Sequence, residues 1–170
     1  PVLFAPLHAL PPTHLHAGQP LQPLILFLPD VFEPDFCRHL IELHEADGGR
    51  DTGFMNDVAG KTVEVLDAAR KRRRDHVGED ESGIPPVQRR SKRRIAPEVA
   101  RLCFFDATRI ERYLVGCYTE EDGGHFAAHR DNKTRDTAHR RFAVSININD
   151  DFEASEGSFP DNAPRGFKTH

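Results

Sequence analysis

Apolar positions recur at helical spacing in three stretches of the chain. Phe36, Leu40 and Leu43 follow Pro34 and Asp35, and Gly48-Gly49 closes the run, which predicts an amphipathic helix over 34–47. Pro85 to Ile95 and Pro97 to Phe105 each open on a proline that a first helical turn tolerates. Val99, Leu102, Cys103 and Phe105 mark a stripe expected to be buried on the second of these. From Phe54 to Leu66 the pattern is that of extended chain, with Ala59-Gly60 as the turn of a hairpin. The charged segment that follows, through Ser82, reads as irregular and exposed. Beyond residue 108 the character is β. Ile110 to Tyr118 is rich in β-branched, aromatic and apolar residues. Phe142, Val144, Ile146 and Ile148 alternate with Ala143, Ser145, Asn147 and Asn149, and period 2 puts the two sets on opposite faces of a strand. A greasy face backed by a small polar one suits a strand that walls a core on one side and a wet cavity on the other. Helices come before antiparallel strands, so the predicted class is α+β.

The first 23 residues fit neither period. They hold six of the 13 prolines and three histidines, and they read as a linker or the remnant of an upstream domain. His14 and His16 in that arm read as solvated rather than metal-binding. Residues 24–170 are then one domain, which suits a chain of 170 residues. The longest apolar run, Leu24 to Leu28, is far short of the roughly 20 residues a membrane helix needs. Three cysteines without a Cys-x-x-Cys pair argue against a disulfide scaffold or a four-cysteine zinc ribbon. A soluble protein of a reducing, cytoplasmic setting is expected.

The net charge of -4 hides an asymmetry. Arg70 to Arg94 holds ten Lys/Arg against four Asp/Glu, a local +6, while the rest of the chain sums to -10. A basic segment of this kind attracts anionic partners, so a nucleic-acid or acidic-partner binding module is one reading of the chain. No aromatic residue lies between Arg70 and Arg94 to stack on bases, and the global balance is acidic, so nucleic acid is disfavoured. Lys71 to Asp75 and Gln88 to Arg94 are expected to be solvent-exposed, flanking the mouth of a pocket, because burying unpaired guanidinium groups is costly.

Candidate chemistry concentrates in Tyr118 to Asn132. His129 and Asp131 are two apart, so in extended chain both leave the same face while Arg130 leaves the other. An imidazole and a carboxylate converging on one point supply two legs of a two-histidine, one-carboxylate triad, which leaves neighbouring positions open on Fe(II). His125 and His139 lack a carboxylate at that spacing and are not taken as ligands. Read as structure alone, Tyr118 would be a core tyrosine with a satisfied hydroxyl, and Asn147 a cap on a bulge.

The order of these features resembles the Fe(II)- and 2-oxoglutarate-dependent oxygenases of the prolyl 4-hydroxylase-like branch. The matching elements are Cys117-Tyr118, Gly123-Gly124, Phe126 and His129-Arg130-Asp131-Asn132, then the alternating segment Arg141 to Asn149, then Glu156-Gly157 and Phe159-Pro160. Upstream, the stretches from Gly53, from Lys71 and from Thr108 resemble a bacterial subgroup in which the oxygenase follows a redoxin-like domain. The resemblance implies a double-stranded β-helix, or jelly roll, supported by N-terminal helices. It implies His129 and Asp131 as iron ligands, projecting from one extended segment into the concave side of a sheet. It further implies Tyr118 as a wall or donor beside 2-oxoglutarate, with Asn147 a pocket residue on the polar face of its strand. Fe(II), 2-oxoglutarate, dioxygen and ascorbate as reductant would serve to hydroxylate a prolyl or other aliphatic C–H in a peptide or small substrate.

The chain departs from that family at its C-terminal end. The family's second histidine ligand falls fifty or more residues after the His-x-Asp, followed by a basic residue that pairs with the far carboxylate of 2-oxoglutarate. His170 is only 39 residues beyond Asp131, and Pro164 to Lys168 resembles the hairpin that precedes the ligand-bearing strand. The expectation is a jelly roll incomplete at the C-terminus, with weak iron binding. A non-catalytic jelly-roll interaction domain is the other alternative.

Overall fold

The structure, a computed structural model, describes residues 15–16, 19–20, 24–78, 84–151, 156–159 and 163–168. The chain divides into two compact units, residues 28–149 and residues 1–27 with 150–170. The second of these holds two antiparallel pairs. Strand β1 (Leu15–His16) pairs with β2 (Gln19–Pro20), and β10 (Glu156–Phe159) pairs with β11 (Ala163–Lys168) across an irregularity between Gly157 and Phe159. Pro164 to Lys168, expected to resemble a hairpin, lies within one strand of the latter pair. His14 and His170 lie outside the described residues.

In the larger unit, α1 (Pro34–Asp47) opens on proline and ends at Gly48, whose φ of 75° lets its N–H reach the His44 carbonyl at 2.8 Å. Phe36 and Leu40, one turn apart, are its buried residues. The hairpin β4 (Phe54–Val58) and β5 (Lys61–Val65) closes on Ala59 and Gly60 with φ of 49° and 79°, the left-handed pair that a two-residue turn requires. Helices α2 (Ile84–Arg94) and α3 (Ala96–Cys103) follow as the prolines predict.

A small antiparallel sheet carries the centre of this unit. Strand β7 (Arg74–His76) lies between β3 (Arg50–Asp51) and β8 (Val115–Cys117), while the neighbouring β6 (Lys71–Arg72) pairs with β9 (His125–Phe126). The class is therefore mixed helix and strand with antiparallel pairing, and no closed barrel forms among the described residues. No described helix is long and apolar enough to cross a membrane.

Four sequence expectations are corrected. Lys71 to Asp75 is not an exposed irregular run: it is strand, and Lys71 and Asp75 are buried because they neutralise one another. Only Val99 of the α3 stripe is buried, since the helix stops at Cys103 with Phe104 left-handed, and Leu102, Cys103 and Phe105 are carried beyond its packed turns into solvent. The strand expected from Ile110 to Tyr118 shrinks to β8, because β7 offers it only three partners. Residues 141–150 form no ladder among the described residues, so their alternation is a pattern without a neighbour to pair it. Phe142 packs on Phe105 instead, with centroids 5.2 Å apart, and both remain partly exposed. The apolar core is correspondingly small. Val31, Phe36, Leu40 and Val99 are its buried members among the described residues, and the most buried side chain of all is Asp75.

Candidate functional site

Residues 71–76 are all charged or titratable, yet they are the hub on which the site is assembled. Lys71 and Arg72 face Phe126 and His125 in register, and Arg74, Asp75 and His76 face Cys117, Gly116 and Val115. The segment thereby ties the His-x-Asp loop to the strand that ends at Tyr118. Along it, Lys71, Arg73 and Asp75 turn inward while Arg72 and Arg74 stay exposed, a period-2 pattern written entirely in charge.

Asp75 is 0% exposed and takes its partners from three sides. Arg73 binds both of its oxygens, Nε to Oδ1 at 2.5 Å and Nη2 to Oδ2 at 2.9 Å. Thr52 donates its hydroxyl to Oδ2, and Lys71 reaches the same oxygen at 3.3 Å. Lys71 also donates to the Gly53 carbonyl at 3.0 Å and to Thr52 Oγ1 at 2.5 Å. Burial alone would push the Asp75 carboxyl up, but the hydrogen bonds from Arg73 and Thr52 and the charges of Arg73 and Lys71 outweigh it and hold the pKa below the ordinary value. The Lys71 ammonium is pushed down by its own burial and by Arg73, against the pull of Asp75. Gly116 leaves room for the cluster: a Cβ there would sit 2.9 Å from Arg73 and 3.0 Å from Asp75.

Arg73 connects this buried group to the candidate site. Its Nη1 donates to the Tyr118 hydroxyl at 3.3 Å, and its guanidinium lies 5.6 Å from the Tyr118 ring centroid and 5.9 Å from that of Phe126. Lys71 Nζ is 5.3 Å from the Phe126 centroid. Phe126 in turn stacks on the His129 imidazole, with centroids 3.7 Å apart and planes 20° from parallel. A cavity of about 460 Å³ opens beside the group, lined by Thr52, Lys71, Arg73, Cys117 and Thr119 among others.

His129 and Asp131 converge as their spacing predicts. His129 Nε2 lies 3.4 Å from Asp131 Oδ1, with the side chains 37% and 46% exposed. Nδ1 donates to the Ala127 carbonyl at 2.8 Å, so in the neutral ring Nε2 carries the lone pair. Facing Asp131, that nitrogen is instead kept protonated more readily: the contact with Asp131 raises the His129 pKa and lowers that of Asp131. The loop bearing them is tethered by Arg140, which donates to the Asp131 carbonyl at 3.2 Å while gripping Glu111 with Nε and Nη2, each at 2.6 Å. Asp131 itself begins a turn, so the pair projects from a loop and turn rather than from a strand of a concave sheet.

Of the residues expected at the site, the structure brings together His129 and Asp131, and links Tyr118 to them through Arg73 and Phe126. Tyr118 is half exposed, which a core tyrosine would not be. Asn147 is exposed on the irregular stretch 141–150. His139 meets Glu111 at 3.3 Å, and His125 meets the Gly123 and Ala69 carbonyls. Among the described residues no third His, Cys, Asp or Glu joins the pair as a metal-binding group. Sequence reasoning missed Lys71, Arg73 and Asp75, and the signal for them was present: opposite charges at alternating positions 71, 73 and 75. A scan against protein-family models and searches of curated proteins and of solved structures found no match.

Proposed function

We propose that this chain belongs to a non-haem Fe(II)- and 2-oxoglutarate-dependent dioxygenase that hydroxylates a prolyl or other aliphatic C–H in a peptide or small substrate. The observation that carries this reading is the convergence of His129 Nε2 and Asp131 Oδ1 at 3.4 Å, with both side chains partly open to solvent. A neutral imidazole and a carboxylate are the donors such a cation takes, and these two fit two positions of a facial triad. Bound Fe(II) would take 2-oxoglutarate and dioxygen, one oxygen atom ending in succinate and the other in the hydroxylated C–H, with CO2 leaving and ascorbate maintaining the reduced metal.

The chain's own residues have separable tasks in this reading. Ala127 fixes the His129 tautomer through Nδ1, and Phe126 fixes the plane of the ring by stacking. A cation held between His129 and Asp131 would displace the proton on Nε2. Tyr118, steadied by Arg73, offers a hydroxyl toward a carbonyl or carboxylate oxygen of the cosubstrate. A double-stranded β-helix is the parent fold that goes with this proposal. Two protein donors leave a divalent ion largely hydrated, so affinity is expected to be weak.

The test is succinate formation from 2-oxoglutarate under Fe(II), dioxygen and ascorbate. Turnover that disappears in His129→Ala and in Asp131→Ala supports the proposal. Turnover equal in all three proteins would refute it.

A further inference from the structure

A second concave site lies away from the His129–Asp131 pair, between α1 and α2. Pro86, Arg89, Arg90, Arg93 and Arg94 all line a groove of about 480 Å³. Their spacing is i, i+3, i+4, i+7 and i+8, the stripe by which a helix usually offers apolar residues to a neighbour. Here the neighbour is the start of α1, with Val31 and Phe36 forming an apolar floor, and the stripe is arginine. Arg90 is fully engaged: its guanidinium lies 3.8 Å from the Phe36 ring centroid, and its Nε donates to Glu33 at 2.5 Å. Glu33 is the one carboxylate lining the groove, and Arg90 consumes it. Arg89, Arg93 and Arg94 are exposed, and no described carboxylate lies within ion-pair distance of them. Four guanidinium groups against one carboxylate give this groove a surplus of three positive charges.

We infer that this groove binds an extended acidic peptide carrying two carboxylates two residues apart. Four residues, a little over one helical turn, separate the Arg89–Arg90 pair from the Arg93–Arg94 pair, about 6.0 Å along the axis. Residues i and i+2 of an extended chain share a face and stand about 6.6 Å apart, close to that separation. The carboxylates can then take one guanidinium pair each, with the apolar floor beneath. A polynucleotide fits less well. The Phe36 ring is buried and covered by Arg90, so it cannot stack on a base, and the chain outside Arg70 to Arg94 carries -10, which repels a long phosphate backbone.

The test uses the full chain and fluorescence anisotropy, with a labelled peptide centred on Glu-Val-Glu, its Gln-Val-Gln counterpart and a single-stranded oligonucleotide of equal length. The Glu-Val-Glu peptide should bind saturably, weaken as salt is raised, and bind at least about tenfold more weakly to the triple variant Arg89→Ser, Arg93→Ser, Arg94→Ser. Those three side chains are exposed, so an unchanged circular dichroism spectrum is expected alongside. Glu33→Gln, which releases the Arg90 charge, should tighten binding. Failure of the acidic peptide to bind, equal affinity for the Gln-Val-Gln peptide, tighter binding of the oligonucleotide, or no loss in the triple variant would overturn the inference. None of these readings depends on iron or on turnover.

Discussion

The molecule holds two groups in which opposite charges meet, and they differ in every physical respect that separates scaffold from chemistry. Around Asp75 the carboxylate is dry, and Arg73, Thr52 and Lys71 occupy both of its oxygens. Around Asp131 the carboxylate is nearly half exposed and its ring partner sits at 3.4 Å. The Asp75 carboxylate has both oxygens occupied, and its contacts tie Thr52, Lys71 and Arg73 together. A solvent-exposed pair contributes little to folding, and its donor atoms stay within reach of solvent. Arg73 is the joint between them, since it binds Asp75 with one edge of its guanidinium and Tyr118 with another nitrogen.

The comparison breaks first at Asp75. Asp75→Ala should destabilise the chain by about 3–5 kcal/mol, because it leaves Arg73 and Lys71 buried without their counter-charge. Urea unfolding followed by circular dichroism measures this, and a loss below about 1 kcal/mol would remove the cluster's structural role. The same residue sets an acid limit. Its folded pKa lies below the unfolded value, so its contribution is complete above about pH 4 and disappears as pH falls through the folded pKa. Wild-type stability should therefore drop steeply below about pH 4, and Asp75→Asn should flatten that slope.

Gly116→Ala comes next. The added methyl meets Arg73 and Asp75 at about 3 Å, and the expected cost is about 1–3 kcal/mol, with an altered environment at Tyr118 visible in its fluorescence. The exposed hairpin supplies a contrast that involves neither cluster. At Gly60, φ is 79° and a Cβ would meet nothing within 4 Å, so Gly60→Ala should cost about 1–2 kcal/mol from backbone conformation alone and leave the acid slope unchanged. The smallest effect on stability belongs to the candidate ligands. His129→Ala should change unfolding free energy by no more than about 1 kcal/mol, as expected for a pair exposed to solvent.

What could be read from sequence followed from local rules. Proline and glycine punctuation located the three helices and the Ala59-Gly60 turn, since those residues restrict the backbone by themselves. The His-x-Asp spacing brought His129 and Asp131 together because two-residue proximity survives whether the chain is strand or loop. Non-local pairing was not legible. The alternation from Phe142 to Ile148 describes a strand only if another strand lies beside it, and the expected burial of Leu102 and Phe105 needed a covering surface that α3 does not reach. The charged run 71–75 was misread for a different reason: charge was taken as a proxy for exposure, whereas mutual neutralisation at alternating positions lets Lys71, Arg73 and Asp75 turn inward.

The most direct test of the central claim, that His129 and Asp131 form a cation site, is anaerobic equilibrium dialysis of Fe(II) against the wild-type chain, His129→Ala, Asp131→Ala and the exposed control Arg89→Ser. The account predicts one weak, saturable Fe(II) per chain in the wild type and in Arg89→Ser, with affinity reduced at least about tenfold in each ligand variant while all four proteins remain equally folded. Fe(II) binding of equal strength in His129→Ala and Asp131→Ala would contradict it.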